Sequence, residues 1–370
     1  MLACTALVCP FAAAARAAAQ GTEPHRALFW KEAGGGDVQC ALCPRSCLVA
    51  DGQRGTCGVR ENRGGVYYTL VHSRPCSMHD DPIEKKPLFH FRPGTNAFSL
   101  ATAGCNLDCR FCQNWEISQA LPEELPSDDV PPVQIVRHAQ RLGSRSIAFT
   151  YSEPTVFNEY VRDVCDAAAG TGLGRVVISN GYIQAQPLKE LLTRIDAIKI
   201  DFKSFSESFY SEVCSGHLRP VLDTLVRIRE AGTWLELVML TVPTLNDDPA
   251  TVKAMCRWIV QKLGPDVPVH FTRFHPMYKL ESLPPTPVAT LERSRGIALE
   301  AGIRFAYAGN VPGHEAENTY EGRMGSNLIT CHMAPAVLSV PHGAQTEARL
   351  PWGMAPRDAP RRAAGADLPR

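Results

Sequence analysis

Residues 104–115 read Gly104-Cys105-Asn106-Leu107-Asp108-Cys109-Arg110-Phe111-Cys112-Gln113-Asn114-Trp115. The spacing is C-x3-C-x2-C, tight enough for one loop to present three thiols to a single metal centre. Most cubane iron–sulfur clusters are closed by four cysteines and only carry electrons, whereas a loop supplying three leaves one iron open to an external ligand and so makes a place for chemistry. Structural zinc is the bland alternative. It is almost always closed by four ligands, commonly in C-x2-C pairs, and no histidine or further cysteine adjoins this loop in sequence.

From Asn96 onward, short β-rich runs alternate with amphipathic, helix-length stretches. The pattern predicts strands over 97–103, 146–151, 175–179, 197–201, 235–242 and 269–274, with a further candidate at 304–308. Between them, helices are expected over 132–142, 156–169, 187–194, 220–231, 250–263 and 288–301. Repeated βα units imply a parallel sheet with outer helices, so the expected fold class is α/β, a partial TIM-type (βα)6 barrel. In such barrels the chemistry sits at the C-terminal strand ends, and the cysteine loop follows the first predicted strand.

The other strand ends carry polar groups. The second ends in Phe149-Thr150-Tyr151-Ser152-Glu153-Pro154, where a carboxylate serves either as a helix cap or as a ligand-binding group. The third ends in Ser179-Asn180-Gly181-Tyr182 and the fourth in Asp201-Phe202-Lys203. Side chains two apart on a strand point the same way, so Asp201 and Lys203 can both face the mouth. The fifth strand leads into Thr241 to Asp248, read as a polar turn capping the next helix. The sixth runs through Arg273-Phe274-His275-Pro276. Three other thiols, Cys165, Cys214 and Cys256, sit singly in apolar stretches and read as small buried hydrophobes.

Ahead of the barrel lies a second cysteine unit, Cys40-Ala41-Leu42-Cys43-Pro44-Arg45-Ser46-Cys47, followed by Gly52-Gln53-Arg54-Gly55-Thr56-Cys57-Gly58. Its C-x2-C-x3-C-x9-C spacing makes a closed set of four ligands compatible with either zinc or an auxiliary iron–sulfur cluster. Between this unit and the first strand runs Asp81-Pro82-Ile83-Glu84-Lys85-Lys86-Pro87-Leu88-Phe89-His90-Phe91.

Together, the Cys105 loop, the Cys40 unit, the Asp81–Phe91 run and Phe149-Thr150-Tyr151 resemble the radical S-adenosylmethionine (SAM) enzyme of the AmmeMemoRadiSam system, which is related to the pyruvate formate-lyase activating enzymes. The likeness runs from about residue 29 to 320. It implies a [4Fe–4S] cluster on Cys105, Cys109 and Cys112. SAM would be chelated to the open iron, held by Glu153, Asn180, Asp201, Lys203 and His275, with Phe111 beside the adenine. The chemistry implied is reductive cleavage of SAM to methionine and a 5′-deoxyadenosyl radical that takes hydrogen from an unidentified substrate. The implied partners are a one-electron reductant such as flavodoxin or ferredoxin, together with Memo-like and AMMECR-like companions; the activating-enzyme reading would substitute a glycyl-radical enzyme. A plain electron carrier or binding module would have no use for the groups at the other strand ends.

Composition bounds the remaining possibilities. A chain of 370 residues with 45% hydrophobic content can bury a large core. Its 38 basic and 38 acidic side chains cancel, which leaves no electrostatic footprint for nucleic acid. Fourteen cysteines at ligand spacings point to metals and a reducing compartment, so a cytoplasmic location is expected. Residues 1–28 form an Ala-rich leader, either unstructured or the truncated remnant of a twin-arginine signal for export of the folded protein. Pro10 and Arg16 interrupt its apolar run, so no membrane span is expected. The cysteine unit and lead-in occupy 29–95, the barrel 96–320 and an atypical tail 321–370. Where relatives continue with a C-x2-C pair, this chain reads Glu317-Asn318-Thr319-Tyr320-Glu321-Gly322-Arg323-Met324; from Ala334 it is rich in Pro, Ala, Gly and Arg, and disorder is expected.

Overall fold

The main sheet is built from runs that are apolar on both faces, as in Ile147-Ala148-Phe149 and Val176-Val177, all essentially inaccessible to water. Its strands are β7 (Ser77–Pro82), β8 (Asn96–Ala101), β9 (Ser146–Phe149), β10 (Gly174–Ser179), β11 (Ala197–Asp201), β12 (Trp234–Thr241), β13 (Val269–Arg273) and β14 (Ala306–Gly309). They lie side by side in sequence order, β8 to β14 parallel and β7 antiparallel to β8. This computed structural model describes residues 25–320 and 327–329. Expectations for the leader up to residue 24 and for most of the tail lie outside the described residues.

Helices cross between the strands: α1 (Trp115–Ser118), α2 (Pro132–Leu142), α3 (Asn158–Ala167), α4 (Ala185–Leu192), α5 (Glu207–Val213), α6 (Leu218–Ala231), α7 (Pro249–Lys262) and α8 (Val288–Glu300). Each longer helix turns one apolar stripe to the sheet, as α2 does with Ile135, Val136 and Ala139. The Asp248 side chain accepts from Thr251 N at 2.9 Å and caps α7, in keeping with the turn reading of that strand end. Six βα units therefore precede a seventh parallel strand, β14, and all six unit loops open at one end of the sheet. Among the described residues, no helix is long and apolar enough to cross a membrane.

The antiparallel edge strand β7 was not anticipated. Its Ser-Met-His-Asp-Asp-Pro sequence is polar, as an edge strand can be, and its proline falls at the last position. Upstream, β1 (His25–Arg26), β6 (Val66–Thr69) and β5 (Arg60–Arg63) form one small antiparallel sheet, while β2 (Trp30–Gly34), β3 (Asp37–Cys40) and β4 (Leu48–Val49) form another. Val38, Leu42, Val49 and Tyr67 make their common core. This unit docks on the barrel through Gln184 N to Leu42 O at 3.0 Å and Arg45 Nε to Asn106 O at 2.8 Å.

Candidate active site

The cysteine loop leaves β8 through Gly104, whose φ of +94° belongs to the left-handed half of backbone space. A Cβ there would stand 2.5 Å from Val59 Cγ1 and 2.7 Å from the Cys57 carbonyl. Glycine thus lets the N-terminal unit press directly on the loop. On the other side, Asp108 N donates to Cys214 O at 3.1 Å and Arg110 N to Val213 O at 2.9 Å, tying the loop to the end of α5. Lys279 closes a third side, with its Nζ 2.8 Å from Asp108.

The three thiols line one cavity of about 750 Å3, within the roughly 300–1,000 Å3 of typical small-molecule sites. Leu107 N donates to Cys105 Sγ at 3.4 Å, and Asn180 Nδ2 lies 3.8 Å from the same sulfur. Burial raises the pKa of Cys105 and Cys112. Cys109 moves down instead: a hydrogen bond with Cys214 and the nearby Lys203 ammonium outweigh burial. Cys214 is therefore more than an isolated hydrophobe. Three soft sulfurs on a pinned loop, with N–H groups aimed at one of them and a cavity beside them, suit a cluster held at three corners.

Five of the six residues expected to meet the cofactor line this cavity. Glu153 is wholly buried, and its carboxylate accepts from Thr155 N at 2.9 Å, Thr155 Oγ1 at 2.7 Å, Ser179 Oγ at 2.7 Å and Asn180 N at 2.8 Å. It is both a helix cap and a latch on β10. Burial nonetheless leaves its pKa raised. The latch fixes Asn180, whose amide also donates to Asn106 Oδ1 at 2.8 Å. Phe111 packs 5.8 Å from the Phe209 ring, and Lys203 Nζ stands 5.5 Å above it.

His275 is the exception, and its expected place at the mouth needs correction. Alternation along β13 turns His270 and Thr272 into the cavity. Phe274 is then buried, held by Thr286 Oγ1 at 2.9 Å from its N–H, which leaves His275 exposed and off the cavity lining. His270 is fully buried and bonds to Glu236 at 2.8 Å, and Glu236 also accepts from Phe89 N and His90 N. Burial works against ionisation of Glu236, and the facing histidines bring its pKa below the usual value.

Two groups on the cavity wall escaped the sequence reading. Lys199 lies two residues before Asp201 on β11, and the two side chains are paired; Lys203 Nζ is 3.8 Å from the other Asp201 oxygen. Burial opposes the Asp201 charge, but the two ammonium groups prevail and lower its pKa. The same two-residue alternation that joined Asp201 to Lys203 also pointed to Lys199. Further along the wall, Asp81 accepts from Lys85 Nζ at 2.8 Å, from Lys86 Nζ and from the Tyr151 hydroxyl. Nothing local in the sequence announces the contact with Tyr151.

The four N-terminal cysteines are all free. Cys40 and Cys43 are buried, while Cys47 and Cys57 are partly so, and none lines the cavity.

A parallel α/β sheet that carries a three-thiol loop at its strand-end mouth, open onto a ligand-sized cavity, defines an iron–sulfur enzyme whose cluster keeps a position for substrate or cofactor. The chain belongs to the radical SAM superfamily. Residues 99–255 match the Radical SAM superfamily. The uncharacterized protein MJ0808 of Methanocaldococcus jannaschii is 45% identical over 305 residues, covering 82% of this chain and 91% of that one. The pyruvate formate-lyase 1-activating enzyme of Escherichia coli strain K12 is a distant relative, 21% identical over 222 residues, 55% of this chain and 89% of that one. A radical SAM methyltransferase of known structure from Sphaerobacter thermophilus is similar at 16% identity and TM-score 0.47, over 59% of this chain and 67% of that one. Membership implies a [4Fe–4S] cluster and SAM, and the residues at the mouth fit both.

Proposed function

We propose that this chain is the radical SAM enzyme of an AmmeMemoRadiSam-type system, acting with Memo-like and AMMECR-like companion proteins on an unidentified substrate in the cytoplasm. The three free thiols facing one cavity support the radical SAM chemistry, and the Cys40 unit with the Asp81–Phe91 run supports the system. When bound, the cluster supplies the electron that cleaves SAM to methionine and a 5′-deoxyadenosyl radical, which takes a hydrogen atom from the substrate. The chain's own residues bind and orient. Cys105, Cys109 and Cys112 would hold the cluster, and the Lys199–Asp201–Lys203 row would offer fixed charges of both signs to SAM's carboxylate and amino group. Asn180, latched by Glu153, offers an amide beside Cys105, and Phe111 gives an apolar wall. Buried apolar walls keep water from a reactive carbon. A flavodoxin or ferredoxin is the expected reductant.

The test is electron paramagnetic resonance of the anaerobically reconstituted, reduced protein with and without SAM. The spectrum should change on adding SAM, and the SAM-responsive signal should vanish in the Cys105→Ala, Cys109→Ala, Cys112→Ala variant. An unchanged spectrum would count against an open iron. The distant likeness to an activating enzyme supports a second reading, a glycyl-radical activase. A gene for a large glycyl-radical enzyme beside this one would favour it over the companion-protein reading.

A further inference from the structure

Cys40, Cys43, Cys47 and Cys57 take no part in the cavity. The fold nevertheless gathers them. Cys40 N donates to Cys47 O at 2.9 Å across the turn after β3, and Thr56 N, next to Cys57, approaches Cys47 Sγ at 3.5 Å. Cys43 and Cys57 are each close enough to Cys40 and Cys47 for their charges to interact.

Buried donors without acceptors surround these thiols. Arg60 is 1% exposed; its Nη2 reaches Leu28 O and Glu159, but Nε and Nη1 have no hydrogen-bond partner. Tyr67 is 0% exposed, and its hydroxyl has none either. That hydroxyl and Cys47 both flank Gly55, where a Cβ would be 2.8 Å from the Tyr67 oxygen and 3.7 Å from Cys47 Sγ. Native interiors seldom leave such donors unmet. Thiolate and sulfide acceptors carrying negative charge would meet both the guanidinium and the phenol.

We propose that Cys40, Cys43, Cys47 and Cys57 hold a second, closed [4Fe–4S] cluster, with Arg60 and Tyr67 donating to its sulfurs. Tetrahedral zinc draws its sulfur ligands to within roughly 4 Å of one another. Among the described residues, no three of these thiols have sulfurs all within 4.8 Å of each other; the one group that meets that limit is His25, His72 and Asp163. A cube sets its ligand sulfurs on wider corners than a single zinc ion does. Because Val59 and the Cys57 carbonyl lie against Gly104, the second cluster adjoins the loop that holds the first.

Iron, acid-labile sulfide and zinc counts on the anaerobically reconstituted full chain test this. The parent should hold about eight irons and eight sulfides, against about four of each for a single cluster. The Cys105→Ala, Cys109→Ala, Cys112→Ala variant should keep about four of each and lose any response to SAM. Cys40→Ala with Cys43→Ala should also fall to about four, while keeping the SAM response. About four irons and one zinc in the parent overturns the proposal, as does four irons with no zinc. The parent count decides even where a variant fails to fold, and because the second cluster outlives loss of the first, this outcome is separable from that of the SAM reading.

Discussion

Asp81→Asn is expected to destabilise the fold by about 3 kcal/mol, and Lys86→Met in the same chain to restore most of the loss. Asp81 is 6% exposed and Lys86 3%, so their charges meet almost out of water. The ammonium of Lys86 has two other neighbours, the Tyr151 hydroxyl at 3.5 Å and the Tyr151 ring at 4.8 Å. Breaking a buried pair from one side costs about 3–5 kcal/mol because the surviving charge is stranded. The ring-face attraction is present in the parent and drops out of the difference, but the asparagine oxygen can still accept one bond, so the lower end applies. The Lys85 contact adds little, since that side chain is 58% exposed.

Urea unfolding by circular dichroism measures both variants. The pH dependence gives a second handle. Burial, only partly offset by Asp81, brings Lys86 down to about 8 from 10.5. Between those values the unfolded chain keeps a proton that the folded chain has released, so this group makes stability rise with pH across that window. Asp81 is depressed in the fold, its lysine and tyrosine partners outweighing burial. Its contribution is present above the unfolded carboxyl range and is lost as pH falls through the folded pKa. Lys86→Met should abolish the alkaline rise. A loss under about 1 kcal/mol in Asp81→Asn, or a double variant no better than the single, would refute the reasoning.

Lys203→Met and Asp201→Asn should each weaken SAM binding by about ten- to a hundredfold, the equivalent of one charge-assisted contact of roughly 1.5–3 kcal/mol. Equilibrium dialysis and the rate of 5′-deoxyadenosine release check this, and parent-like values in both would make the row structural. Gly104→Ala should cost about 2–4 kcal/mol through backbone strain and the clash with Val59 and the Cys57 carbonyl. Iron content and melting temperature report it, and unchanged values of both would show that the close approach is not needed.

The barrel was legible because its strands are continuous apolar runs and its helices keep one buried stripe. Predicted and observed strands differ by a residue or two at most of their ends, and the further run at 304–308 corresponds to β14, Ala306–Gly309. That Cys105, Cys109 and Cys112 would share one loop at the strand-end mouth was legible from their spacing and their place after the first strand. Long-range and parity information was harder to recover. Tyr151 reaches Asp81 across 70 residues, and Cys214 meets Cys109 from the end of another helix. His275 was placed by its neighbourhood in the sequence, whereas the alternation of β13 gives the inward positions to His270 and Thr272.

The loop is held from three directions by groups that no single stretch of sequence contains: the cysteine unit through Gly104 and Arg45, α5 through Val213 and Cys214, and the segment after β13 through Lys279. Most of these anchors act on the backbone or on a polar residue between the cysteines, while Cys214 also reaches the Cys109 thiol, and all three thiols still line the cavity. A cluster site needs ligands fixed by a supporting shell if its open iron is to face one direction. Val59, at the contact with Gly104, immediately precedes Arg60 of the neighbouring thiol cluster. The N-terminal unit therefore buttresses the catalytic loop from behind, through its contact with Gly104, without lining the cavity itself.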